Sequence, residues 1–141
     1  MAAIAGALML GVTGCGAGPY RGPDGQVTAT ASVGLSDLKV GDCIYNVSNL
    51  GDQVTSMQVV PCSSSHEGEV YATESNVANS PDDITNFCTD QFAIYIGLDF
   101  NSSALSAKFF HNADASSNTD VQCVVFASGQ MVTTSYKDSN Q

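Results

Sequence analysis

Five cysteines constrain this chain more than any other feature: Cys43, Cys62, Cys88 and Cys123 are spread through its body, and Cys15 stands apart behind an apolar N-terminal run. Four cysteines can pair in three ways, and the sequence leaves all three open. Cys43 and Cys62 flank a predicted hairpin, while Cys88 on a predicted helix precedes Cys123 in a predicted strand, an arrangement that favours Cys43 with Cys62 and Cys88 with Cys123. Either bridge closes a loop of roughly 20 to 35 residues, which removes about 3 kcal/mol of unfolded-state entropy. That matters to a domain of roughly 105 residues, whose single core is small. Bridges also imply an oxidising, extracytoplasmic location. The competing zinc reading would use Cys62 and His66 with Cys43 or Cys88, but no CxxC pair supports it, so no metal and no cofactor is expected.

The odd cysteine has its own context. Ala2 to Val12 are apolar but too few to span a bilayer, which takes about 20 residues, and they suit a signal-peptide core. Val12-Thr13-Gly14-Cys15 then matches a lipobox: an aliphatic residue, a small residue, Gly, and Cys. The small side chains fit the narrow subsites of a signal peptidase, and the thiol is the nucleophile that accepts the acyl-bearing glycerol. The expected organisation is a lipoprotein signal peptide over 1–14, a lipidated Cys15 with a flexible linker over 15–35, and one domain over 36–138. The linker expectation comes from GAGPYRGPDGQVTATASVG, rich in Gly, Pro, Ser, Thr and Ala. No Lys or Arg precedes the apolar run, so a basic segment upstream of Met1 is expected. Two or three acyl chains would hold the protein at the cell membrane, on its extracytoplasmic side, without embedding the domain.

Periodicity predicts an α+β fold: a small antiparallel sheet, one main helix and two disulfides. Leu38 to Tyr45 with a turn at Gly41-Asp42, and Val54 to Cys62 with apolar Met57 and Val59, read as a hairpin. Glu69 to Thr73, Ala107 to Phe110 and Val121 to Phe126 read as further strands. Ser80-Pro81-Asp82-Asp83 is a helix start, with a hydroxyl cap, Pro in the first turn and acids at the positive end of the dipole. Ile84, Phe87, Cys88, Phe92 and Tyr95 then recur along one face, and Gly97 is the expected stop. The net charge of -10, from 14 acidic and 4 basic residues, excludes nucleic acid as a partner.

The search for chemistry ends at Pro61-Cys62-Ser63-Ser64-Ser65-His66-Glu67-Gly68-Glu69, the stretch where imidazole, hydroxyls and carboxylates crowd together. His66, Glu67 and Glu69 are therefore the candidate binding residues. The hydroxyls lie too near His66 in sequence for a triad, and no GxSxG elbow or phosphate loop is present. The alternative is a hydrogen-bonded loop histidine that orders the chain after Cys62. His111 falls in a polar stretch and is expected to be solvated. The chain is read as noncatalytic.

Val40-Gly41-Asp42-Cys43, Val59-Val60-Pro61-Cys62-Ser63, His66 and Glu69-Val70, followed by a helical and a late-strand cysteine, resemble the actinobacterial septum formation domain. The resemblance spans Leu35 to Asp138, with Ser65 at the position of a usual Pro. It implies an envelope domain associated with septation and supplies no catalytic residues. The expected function is a membrane-anchored binding or scaffolding module with an envelope protein partner. A phage-encoded or prophage lipoprotein acting in superinfection exclusion is a second reading, and an envelope hydrolase using His66 a third. Gene neighbourhood separates the first two.

Overall fold

The computed structural model describes residues 18–51, 54–111 and 117–141. Cys15, the signal peptide and the lipobox lie outside them. Among the described residues, six strands form one antiparallel sheet: β1 (Ala31–Gly34), β2 (Cys43–Ile44), β3 (Ser56–Val60), β4 (Gly68–Ala78), β5 (Ser106–His111) and β6 (Asn118–Phe126). Their spatial order is β1-β3-β2-β4-β6-β5, and helix α1 (Pro81–Ile96) connects β4 to the β5–β6 pair. The α+β class and both favoured bridges, Cys43–Cys62 and Cys88–Cys123, are as expected. No helix among the described residues is long and apolar enough to cross a membrane.

Both faces of the sheet are covered, and β6 shows how. Val121, Cys123 and Val125 point to the helix side, where they meet Ile84, Cys88, Phe92 and Ile96 from every fourth position of α1. Val124 and Phe126 point the other way, into a cluster with Val33, Leu38, Ile44, Met57, Val59 and Phe110. A strand buried on both faces reads as a continuous apolar run, as Val121 to Phe126 does. The Cys88–Cys123 bridge ties α1 to β6 across the helix-side core.

The helix ends follow local chemistry. Ser80 Oγ accepts from the Asp83 N–H at 3.2 Å, and Gly97 closes α1 at φ 85°, a left-handed conformation that glycine tolerates without strain. The last carbonyls, which have no partner within a helix, are taken up by the C-terminal tail: Asp138 N–H donates to Tyr95 O and Asn140 N–H to Ile96 O.

Three expectations need correction. The segment 15–35 is not a free spacer in its described part, because the chain is folded from Tyr20 onward. Arg21 bridges backbone-to-backbone with Val27, Val27 is buried in the core, and β1 joins β3 through Ala31, Ser32, Val33 and Gly34. Composition misled because a strand that adds to an existing sheet needs only one inward residue, here Val33, to be held. The domain therefore starts well before 36, and its hydrogen bonds continue past 138, through Asn140 to Ile96. Second, β4 extends past Thr73 to Ala78 through polar residues. Register shifts between Val70 and Ala72 and between Glu74 and Val77 give it two bulges, the second containing Asn76 at φ 67°. Third, His111 is not a solvated loop residue: it ends β5 opposite Val121 and is half-buried.

Candidate functional site

His66, Glu67 and Glu69 lead into and begin β4, and the fold turns all three inward. Gly68 between them is required by close approach. A Cβ there would stand 2.5 Å from Val47 Cγ2 and 2.8 Å from Val125 O. This packing seats the chain deeply enough for the flanking carboxylates to be buried.

Glu67 is a hub for three segments. One carboxylate oxygen accepts the Val47 N–H at 2.6 Å and the Ser48 N–H at 2.8 Å, while the other accepts the Ser48 hydroxyl and the Gly129 N–H, the latter at 3.0 Å. Burial works against its charge. The donors from Ser48, Gly129 and Val47 outweigh that burial and hold its pKa below the ordinary value of 4.5. Glu69 joins α1 and the C-terminal tail to β4. It accepts from Tyr95 Oη at 2.7 Å, from Ser135 Oγ at 2.7 and 2.9 Å, and from the Tyr136 N–H at 2.6 Å. Burial, and then the carboxylate itself, push the Tyr95 hydroxyl well above the phenol range, so it stays a donor.

His66 is 0% exposed. Its backbone pairs with Val132 in both directions, and Nδ1 donates to Ser64 O at 2.8 Å, as expected of a histidine that orders the chain after Cys62. Nε2 is buried without a hydrogen-bond partner among the described residues. The ring meets Tyr136 edge-on, with centroids 6.5 Å apart, and Tyr136 Oη donates to Glu67 O at 3.0 Å.

This arrangement holds chain segments together and offers little to a ligand. The sulfurs of Cys43 and Cys62 and a Glu69 oxygen lie within 4.8 Å of one another. The sulfurs are bonded to each other, however, and the carboxylate already accepts from Tyr95, Ser135 and Tyr136, so no open donor set remains. The zinc grouping with His66 fails equally, since Cys43, Cys62 and Cys88 are all bridged and none is left as a thiolate. The three residues expected to bind are thus the internal joints of the fold. Their partners Ser48, Tyr95, Gly129, Ser135 and Tyr136 escaped sequence reasoning. The available signal was the alternation of Glu69 and Tyr71, which places a carboxylate on the helix-covered side of β4.

Among the described residues, a shallow polar cleft of about 190 Å³ is lined by Ser36, Leu38, Thr73, Glu74, Ser75, Asp120 and Gln122. Typical small-molecule pockets run to roughly 300–1,000 Å³ and are mostly apolar, so its size and polarity do not suit such a ligand. No family model, curated protein or solved structure matches this chain.

The Glu67 environment carries a pH consequence. A carboxyl whose pKa is depressed on folding adds stability above its unfolded pKa, and that stability is lost as pH falls through the folded value. Urea midpoints measured from pH 7 down to pH 3 should fall below about pH 4.5, and the fall should be smaller in Glu67→Gln. Equal slopes in the two proteins would show that Glu67 is not the responsible group.

Proposed function

We propose that this protein is a lipid-anchored, extracytoplasmic binding or scaffolding module of the cell envelope and not an enzyme. One observation carries the reading. The four body cysteines are consumed in two bridges, so of the five in the sequence only Cys15, in its lipobox, is left for acylation. Two bridges in so small a domain suit an oxidising compartment. The inward commitment of His66, Glu67 and Glu69 argues against a hydrolase built on them, because a general base must reach a substrate proton. The link to septum formation rests on the sequence motifs around Cys43, Cys62, His66 and Glu69 alone.

The anchor is tested by mass spectrometry of protein extracted from membranes. Cys15 is expected to carry the mass of a diacylglycerol group, and Cys15→Ser is expected to lose both that mass and membrane retention. A freely secreted wild-type product with an unmodified Cys15 would sink the proposal.

A further inference from the structure

The geometry points to a fixed seating of this domain on the lipid surface: Arg21 latches the N-terminal segment to Asp42, so that a lipid on Cys15 holds the corner bearing Tyr20 and Val40 against the bilayer. The inference rests on the reading of Cys15 as the lipid-bearing residue and adds to it which face meets the membrane.

The latch is specific. Arg21 donates from Nη1 to Asp42 Oδ1 at 2.6 Å and from Nη2 to Oδ2 at 2.8 Å, a bidentate fork on a carboxylate that also accepts the Lys39 N–H at 2.9 Å. The acid is fully buried and Arg21 partly so. Breaking such a pair strands a buried carboxylate charge, which is strongly unfavourable. Arg21 Nη1 also closes on Gly25 O at 3.0 Å, and Gln26 comes to Gly41 and Cys62, so the whole turn from Tyr20 to Thr28 is seated beside the Cys43–Cys62 bridge.

The remaining leash is short. Only Gly16 to Pro19 separate Cys15 from Tyr20, and five peptide steps reach at most about 17 Å. Were the chain free up to β1, the same anchor would allow on the order of 50 Å. A domain leashed this tightly cannot tumble away from the headgroup layer, and it must turn the corner where the leash enters toward the lipid. That corner carries Tyr20, 79% exposed, and the adjoining turn carries Val40, 49% exposed. An exposed tyrosine at the point of entry suits an interface, since its ring body is apolar and its hydroxyl stays wet.

The chain has no tryptophan, so Tyr20→Trp creates a single reporter, and Ile94→Trp, at a 72% exposed position of α1, creates a control. Each acylated protein is reconstituted in phosphatidylcholine vesicles containing brominated phosphatidylcholine, and lipid on Cys15 is verified by mass in the same sample. Tyr20→Trp should be quenched at least two-fold more than Ile94→Trp. Inserting a 20-residue Gly/Ser spacer between Pro19 and Tyr20 should bring its quenching down to the control. Equal quenching at the two sites with lipid present on Cys15 overturns the seating and leaves the anchor standing. Quenching that survives the spacer overturns the leash as its cause. An unmodified Cys15 overturns both the anchor and the seating.

Discussion

Glu69→Ala is expected to destabilise the domain by about 4 kcal/mol, a large share of the roughly 5–15 kcal/mol that holds a domain of this size folded. The substitution removes the acceptor for Tyr95 Oη, Ser135 Oγ and the Tyr136 N–H together. A buried donor left without a partner costs roughly 1–3 kcal/mol, and relaxation of the exposed Ser135 edge lets water recover part of the total. Glu69→Gln keeps one oxygen but places an NH2 group against donors, so it should lose about half as much. Chemical denaturation of the oxidised proteins measures both. A loss below about 1 kcal/mol in the alanine variant would mean that the tail and α1 are held by apolar packing and not by the carboxylate.

The second large effect belongs to the bridges. Cys88→Ala/Cys123→Ala should cost about 4 kcal/mol and Cys43→Ala/Cys62→Ala about 3 kcal/mol, because the first closes a separation of 35 residues and the second one of 19. The structural consequences should differ more than the energies. Cys88–Cys123 is the covalent tie between α1 and β6, so its loss should expose helix-side amides to hydrogen exchange first. Cys43–Cys62 staples β2 beside the Tyr20–Thr28 turn, and its loss should loosen that turn while α1 keeps its protection. Identical exchange patterns in the two variants would refute this division. Nonreducing peptide maps of the exported protein, with Cys43 joined to Cys62 and no free thiol among the four, would verify the pairing itself.

How far the sequence could be read depended on whether a signal was local. The Ser80 cap, the recurrence of Ile84, Phe87, Cys88, Phe92 and Tyr95 along one face and the stop at Gly97 are set within one stretch of chain, and α1 appears where they place it. The Cys43–Cys62 pairing was readable because β2 and β3 form a near hairpin. What stayed hidden is non-local. Val33 is a lone apolar residue in a polar run, and it becomes strand only because the edge of β3 is there to receive it. Arg21 gave no sign of its partner 21 residues on, and the linker expectation failed for that reason. At the candidate site the residue types were noticed but their direction was not. Clustered His, Glu and Ser can signal chemistry at a surface or polar joints in an interior, and the difference lies in Tyr95, Gly129, Ser135 and Tyr136, which reach the motif from 26 to 69 positions away.

The same long reach dictates an order of events. Glu67 waits for Gly129 and Glu69 for Ser135 and Tyr136, and the last carbonyls of α1 wait for Asp138 and Asn140. A nascent chain made only as far as β6 lacks Gly129, Ser135 and Tyr136, so Glu67 is short of one donor and Glu69 of two, and burying carboxylates so under-satisfied is unfavourable. Assembly is therefore deferred until the segment after β6 has been made. Such a polypeptide stays open and threadable until that segment emerges, and then closes in a single late step, with residues 129–140 serving as the fastener.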